Sequence, residues 1–380
     1  MDNNVNNIKP NINVNLDSCS YEIYIKNGIV NKISSLLSKK TENNKVLIVA
    51  DIFFKDSIVK KIISDLNNNY YIVHVYFMNA GKGNKNFNEL LKIYAILEEN
   101  NLARDSTILA VGGGVIGDLA GFIASTWYRG MNLVHIPTTL MAMVDSSVGG
   151  KVAVNYRHTI NAIGNYHHPI FILMDLDLIY TLPDRDYISG IAEVIKCAII
   201  SDKDLYGYLE MNANSILNRE EKDVIYFLSK AIKIKISHVL GDVRERGKRL
   251  LLNYGHTLGH AIEISTEKNN QEQYRHGEGV SIGIIAVAHI ATKYLKISGD
   301  IEKSYLKIMK LYGLPTFVNT KMLEINRDFL FKQCIQNVKK DKKRIGGYLR
   351  LILSENIGEA SVYKEVPFKY IEEAFKYIIK

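Results

Sequence analysis

Three stretches of this 380-residue chain carry the side chains of a metal centre. They are Gly190-Ile-Ala-Glu193-Val-Ile-Lys196, Asn253-Tyr-Gly-His256-Thr-Leu-Gly-His260-Ala-Ile-Glu263 and Arg275-His276-Gly-Glu278. A carboxylate with imidazoles is the ligand set of a zinc-type catalytic centre that keeps one position open. His256 and His260 stand i, i+4, so a helix turns both rings to one face. Spacing alone makes both of them ligand candidates, with His276 alongside. Glu193 sits in an apolar helical segment, where a carboxylate needs a partner that a cation can supply.

A second device lies earlier. Gly112-Gly-Gly114-Val-Ile-Gly117-Asp118 follows a strand and opens a helix, the setting in which a GxGxxG spacing lets backbone amides approach a pyrophosphate. It departs from the usual dinucleotide fingerprint, because it follows a late strand and no acid ends the next one. Asp51, at the end of an earlier strand, is a candidate ribose partner or else a helix cap. Arg129, Lys151, Lys196, Lys235, Arg249 and Lys342 surround these motifs, and as a set they suit a substrate bearing a phosphate and a carboxylate. His74, His135, His238 and His289 read as structural. His158, His167 and His168 fall in a loop and stay open.

The elements that must position these groups change character along the chain. Strands at Lys45–Asp51, Tyr70–Phe77, Ser106–Val111 and Asn132–Ile136 alternate with helices at Phe54–Leu66, Phe87–Glu99 and Gly117–Trp127. Alternation on this scale predicts a doubly wound, mostly parallel, Rossmann-like α/β sheet. Beyond Asp177, long 3.6-periodic segments follow at Ser189–Ile200, Glu220–Leu240, Leu250–Ile264 and Gly279–Tyr294. The expected organisation is an Asn-rich, poorly ordered leader over 1–18, an α/β domain over 19–177 and a mainly helical domain over 178–380.

Composition bounds the function. At 47% hydrophobic and 23% charged residues, the chain is ordinary globular protein with length for one or two cores. No apolar run reaches a membrane span, and the first residues lack a signal pattern. Cys19, Cys197 and Cys334 are scattered, which predicts a reducing, cytoplasmic setting. The net charge of +8 comes without a basic stripe interleaved with aromatics, so nucleic acid is not the expected partner.

Taken together, these residues resemble the 3-dehydroquinate synthase family. The resemblance runs from about Tyr21 to the C-terminus. Its words are Gly-Gly-Gly-Val-Ile-Gly-Asp-Leu-Ala-Gly-Phe from Gly112, Ile-Pro-Thr-Thr-Leu from Ile136, Val-Asp-Ser-Ser-Val-Gly-Gly-Lys from Val144, Ala-Glu-Val-Ile-Lys from Ala192, the Leu252–Glu263 stretch and His276-Gly-Glu278. Several such words in one order mark the sugar-phosphate cyclases, and the Val144 word marks the dehydroquinate branch. The resemblance implies one divalent metal, zinc or cobalt, on Glu193, His256 and His276, and it moves His260 to the phosphate side. It implies NAD on Gly81, Lys85, Gly114, Val115, Ile116, Gly117, Asp118, Thr138, Thr139, Lys151, Leu178 and Thr181. Substrate contacts then fall on Asp145, Asn161, Lys196, Lys235, Arg249, Asn253 and Lys342. Arg129 is implied to serve a neighbouring subunit, hence a homodimer.

The implied reaction converts 3-deoxy-D-arabino-heptulosonate 7-phosphate to 3-dehydroquinate and phosphate through transient oxidation, elimination, re-reduction and aldol closure. Three positions depart from the family pattern. Lys82 replaces an acid in Gly81-Lys82-Gly-Asn-Lys85, Ile160 replaces a lysine, and Val243 follows Asp242 in place of Glu. The competing readings are a cyclase making a cyclitol, a metal-dependent polyol dehydrogenase, and a binding protein without turnover.

Overall fold

The computed structural model describes residues 8–16, 19–157, 159–268, 271–344 and 349–380, with the side chains of 341–344 excepted. The chain divides into two compact units, Met1–Leu182 and Pro183–Lys380.

In the first unit, seven strands form one sheet in the order β1-β2-β9-β6-β5-β3-β4. They are β1 (Ile12–Leu16), β2 (Cys19–Lys26), β3 (Lys45–Asp51), β4 (Ile72–Met78), β5 (Thr107–Gly112), β6 (Asn132–Pro137) and β9 (Phe171–Asp175). All neighbours are parallel except β1 and β2. Parallel strands are covered on both faces, and β5 and β9 are accordingly buried along their whole length. Helices α1 (Ile33–Leu37), α2 (Ile58–Asn68), α3 (Phe87–Glu99) and α4 (Gly114–Thr126) belong to this unit. The core on the α3 and α4 side is built from Leu90, Ile93 and Leu97 against Ile108, Ile116 and Ile123.

Two sequence expectations are corrected here, and one element is added. Ile12–Leu16, assigned to a disordered leader, is β1: its Ile-Asn-Val-Asn-Leu alternation buries Ile12, Val14 and Leu16 and exposes both asparagines. Residues 1–7 and 17–18 of that leader lie outside the described set. The unit boundary falls at Pro183 rather than after Asp177. Asp175 accepts hydrogen bonds from the amides of Gly28 at 2.9 Å, Val30 at 3.1 Å and Asp177 at 3.1 Å, tying the segment that follows β9 to the first unit. Finally, a hairpin of β7 (Lys151–Tyr156) and β8 (Thr159–Tyr166) stands apart from the main sheet. Its second strand is exposed almost throughout, so it lacks the hydrophobic alternation by which strands are recognised.

The second unit is mainly helical: α5 (Asp184–Ser201), α6 (Lys203–Met211), α7 (Ala213–Leu217), α8 (Glu221–Val239), α9 (His256–Thr266), α10 (His276–Tyr294), α11 (Gly299–Leu311), α12 (Arg327–Arg344) and α13 (Phe368–Ile378). An antiparallel pair, β10 (Arg350–Asn356) and β11 (Glu359–Lys364), completes it. Helix α10 is buried almost continuously from Gly277 to Ala291. Glycine lets its neighbours approach: a Cβ on Gly277 would lie 1.8 Å from the Ser189 carbonyl oxygen, and one on Gly283 would lie 2.0 Å from the Gly255 carbonyl oxygen. Helices α5, α9 and α10 therefore meet at backbone distance, and these are the helices that carry Glu193, His256 and His276.

Candidate active site

Glu193 lies in the middle of α5, whereas His256 and His276 are the first residues of α9 and α10. Glu193 is 2% exposed. Its Oε1 is 3.6 Å from Nε2 of His256 and 3.8 Å from Nε2 of His276, and it accepts no hydrogen bond. The other oxygen, Oε2, accepts from the buried ammonium of Lys196, one turn along the helix.

The far side of each ring decides its tautomer. His256 Nδ1 is 3.1 Å from the Tyr254 carbonyl oxygen and His276 Nδ1 is 3.1 Å from Glu263 Oε1, so each Nδ1–H donates outward. Each Nε2 then turns a lone pair toward Glu193. Burial pushes the His256 imidazole well below its usual range, helped by Lys196, His276 and His260, so the ring is neutral. Two lone pairs and a carboxylate oxygen converging without a proton between them repel one another, and a cation at their centre removes the conflict. Ligand atoms around a divalent ion lie roughly 3.4 Å apart when each bond is roughly 2.1 Å and the geometry tetrahedral. The observed separations of 3.6 and 3.8 Å fit that spacing. His260 is nearby as well, with donor atoms of His256, His260 and His276 all within 4.8 Å of one another.

Beside the histidines lies a cavity of about 230 Å³, walled by Asn253, His256, Thr257, His260, Arg350 and three apolar residues. The loop before α9 is organised by Asp242, whose carboxylate accepts from the amides of Arg246 at 2.7 Å, Gly247 at 2.7 Å and Arg249 at 2.9 Å. Partial burial raises its pKa, but the three amides and Arg249 outweigh that and hold the carboxyl below its usual range. The Arg249 guanidinium is buried and donates to the Val243 carbonyl at 2.7 Å. Asn253 donates to Glu245 at 2.8 Å. Lys235 is buried on α8. The side chain of Lys342 lies outside the described residues.

In the first unit, the glycine turn opens α4 three residues earlier than expected, with Gly113 as N-cap and no side chain capping it. Gly114, Val115 and Ile116 thus present the amides of its first turn, which suit an anion, while the Gly117 amide donates to the Gly113 carbonyl at 3.0 Å. A Cβ on Gly114 would meet the Ser146 hydroxyl at 3.0 Å, and one on Gly113 would meet Thr139 at 3.3 Å. Thr138 is buried, and Thr139 Oγ1 accepts from the Ala142 amide at 3.1 Å, starting the single π-turn Ala142–Ser146 that carries Asp145. Lys85 brings together residues far apart in sequence, since its ammonium donates to both Asp118 and Asn161. Gly81 leads into that segment at φ +125°, and Asn161 is itself left-handed at φ 52°. Lys151 is exposed at the start of β7. Thr181 donates to the Leu178 carbonyl at 2.7 Å.

Asp51 accepts from the Phe53 amide at 3.1 Å and so performs the capping role, one of the two readings its place at a strand end offered. Arg129 is exposed on a strained turn, with φ 47° at Tyr128 and 64° at Arg129. His167 is close to the Met131 carbonyl at 2.9 Å and His168 stacks on Tyr21; His158 lies outside the described residues. Sequence reasoning overlooked Glu263, although His256, His260 and Glu263 follow i, i+4, i+7 on one helical face. It also overlooked Arg185 and Arg350, which no motif marks.

An α/β unit followed by a helical unit, with an acid facing two histidines, defines the dehydroquinate synthase-like class of fold. The crystal structure of a 2-deoxy-scyllo-inosose synthase, complexed with carbaglucose-6-phosphate, NAD⁺ and Co²⁺, matches this chain with a TM-score of 0.85 at 25% identity, covering 96% of this chain and 99% of that one. Residues 75–189 match the 3-dehydroquinate synthase N-terminal family and residues 190–344 the 3-dehydroquinate synthase C-terminal family. The 3-dehydroquinate synthase of Desulforamulus reducens is 38% identical over 356 residues, covering 93% of this chain and 96% of the relative. That of Nostoc sp. is 38% identical over 370 residues, covering 96% and 98%. The chain belongs to the 3-dehydroquinate synthase family.

Proposed function

We propose that this chain converts 3-deoxy-D-arabino-heptulosonate 7-phosphate to 3-dehydroquinate and inorganic phosphate, a step of aromatic amino acid biosynthesis by the shikimate route. The observation that carries the reading is Glu193 Oε1, buried, without a hydrogen bond and faced by two imidazole lone pairs. Glu193, His256 and His276 would hold one divalent ion, zinc or cobalt. NAD would lie on the α4 turn from Gly114 to Asp118, with Gly81, Lys85, Thr138, Thr139, Lys151, Leu178 and Thr181. When bound, these groups supply a reversible hydride acceptor and a Lewis acid.

The side chains do the rest. A transient ketone at C5 of the sugar acidifies the C6 proton; the departing phosphate takes that proton, the C6–H electrons form the C6=C7 double bond, and phosphate leaves C7 with the electrons of the C7–O bond. Lys196, Lys235 and Arg249 fix the anionic ends of the substrate, with Asn253, Asp145, Asn161 and Lys342 as polar partners. His260, in the wall of the cavity, faces the departing phosphate and stabilises its charge. Hydride returned to C5 leaves no net oxidation, and ring opening with an intramolecular aldol addition closes the carbocycle. Holding the open chain in place lowers the barrier for that closure.

Arg129 on its strained, exposed turn supports a homodimer in which it serves the neighbouring subunit. No described helix is long and apolar enough to cross a membrane, and three free cysteines fit the reducing cytoplasm.

The test is phosphate release from the heptulosonate phosphate. We expect turnover that needs both NAD and a divalent ion, without accumulation of NADH. No phosphate from metal-restored enzyme with NAD would sink the reading; turnover with other heptulose phosphates but not this one would favour a cyclitol-forming cyclase. Steady NADH formation would favour a polyol dehydrogenase.

A further inference from the structure

We propose that Arg350 binds the substrate phosphate in the cavity that it lines together with His260, a role that rests on the functional reading above. Arg350 opens β10, and Ile352 two residues on shares its face of the strand. Ile352 pairs with Val362 of β11, and Arg350, Ile352 and Val362 all line the cavity. The hairpin therefore makes one wall, with Arg350 at its edge. His256, Thr257 and His260, from the first turns of α9, make another.

The lining has eight described residues, and none is a carboxylate. Arg350 is the one permanent cation among them, so nothing in the wall neutralises its charge. The remaining polar groups, the Asn253 amide, the Thr257 hydroxyl and two imidazoles, are neutral or basic. Such a wall favours an anion. The guanidinium presents a planar fork of N–H donors, which matches two phosphate oxygens at once, while Ile352 and Val362 exclude water and strengthen the pairing. A phosphate gripped here sits beside His260, where negative charge grows as the C7–O bond breaks.

The experiment uses the full chain loaded with metal and NAD. Calorimetry measures inorganic phosphate binding to wild type, Arg350→Gln and Arg350→Lys, and steady-state kinetics measures KM, kcat and inhibition by phosphate. Arg350→Gln is expected to weaken phosphate binding and raise KM roughly tenfold or more, with metal content and melting temperature unchanged. Arg350→Lys is expected to recover part of the loss, because an ammonium keeps the charge and loses the fork. Wild-type phosphate affinity in both variants would overturn the proposal, as would a raised KM with unchanged phosphate binding, which moves Arg350 to the carboxylate end. If Arg350→Gln fails to fold, Arg350→Lys alone decides. Failure of wild type to release phosphate would count against the functional reading, while the binding comparison still judges Arg350.

Discussion

Arg185 grips Glu278 through two hydrogen bonds, both 2.7 Å, from Nε to Oε1 and from Nη2 to Oε2. Glu278 also accepts from the Arg275 amide at 2.8 Å, and Arg275 pairs with Asp186 at 2.8 Å. This network fastens the start of α10, where His276 stands, to the start of α5, the helix of Glu193. Nearby, the Ser189 hydroxyl accepts from the Gly277 amide at 3.0 Å. The Glu of the His-Gly-Glu word is thus a clamp between the helix of Glu193 and the helix of His276.

Removing the clamp with Arg185→Ala is expected to weaken divalent-metal binding about tenfold, by analogy with outer-shell mutations. Arg185 is half exposed, so global stability is expected to fall by only about 1 kcal/mol. Competition with a chromogenic chelator, alongside thermal melting, checks both. Unchanged metal affinity would remove the clamp from the metal site.

His256→Ala is expected to abolish stoichiometric metal binding, and His260→Ala to retain it while losing most of the turnover. His256 and His276 direct Nε2 at Glu193 with Nδ1 held by an acceptor behind. Metal analysis of the purified variants decides, and equal losses would put His260 in the coordination shell.

Glu263→Gln is expected to lower metal affinity about 10- to 100-fold, because an amide orients the His276 ring less firmly than a carboxylate and makes it less basic. The cobalt-loaded enzyme offers a second readout, since its visible spectrum is expected to shift as the His276 ligand field changes. An unaltered spectrum and affinity would show that Glu263 only fills space.

Burial, with a smaller contribution from His167, pushes His135 down to about 4. A histidine with a depressed folded-state pKa keeps its contribution to stability above the unfolded value of roughly 6.5, and loses it as pH falls toward 4. Between pH 7 and 5 this is worth about 2 kcal/mol. Urea unfolding at the two pH values is expected to show that loss in wild type and a flatter response in His135→Gln. A slope unchanged by the substitution would place the proton elsewhere.

Lys82 stands where the family places an acid near the cofactor ribose. Lys82→Glu is expected to tighten NAD binding several-fold, or about 1 kcal/mol, by exchanging a cation for a hydrogen-bond acceptor. Fluorescence titration of NAD against wild type and variant gives the answer, and weaker binding by the variant would show that Lys82 has been recruited to the cofactor.

The sequence by itself determined the layers and singled out the candidate ligands. Apolar runs such as Val46–Ala50 and 3.6-residue periods such as Val224–Val239 are local patterns, and local sterics and burial turn them directly into strands and helices. The long words around Glu193, His256 and His276 likewise announced their chemistry. What only the tertiary structure decided was which atoms meet. Lys85 joins Asp118 and Asn161 across up to 76 residues, and no spacing rule reaches that far. The β7–β8 hairpin emerged through pairing partners rather than strong local hydrophobicity, whereas the alternation of Ile12–Leu16 is itself a local strand signal. Two lone pairs turned toward Glu193 depend on acceptors behind each ring, at Tyr254 and Glu263. Arg350 belongs to no motif, and its place in the cavity that His260 also lines follows from a strand register. Periodicity is read along one chain, whereas a site is an arrangement of ends from several helices and a strand, and its electrostatics exist only once those ends are packed together.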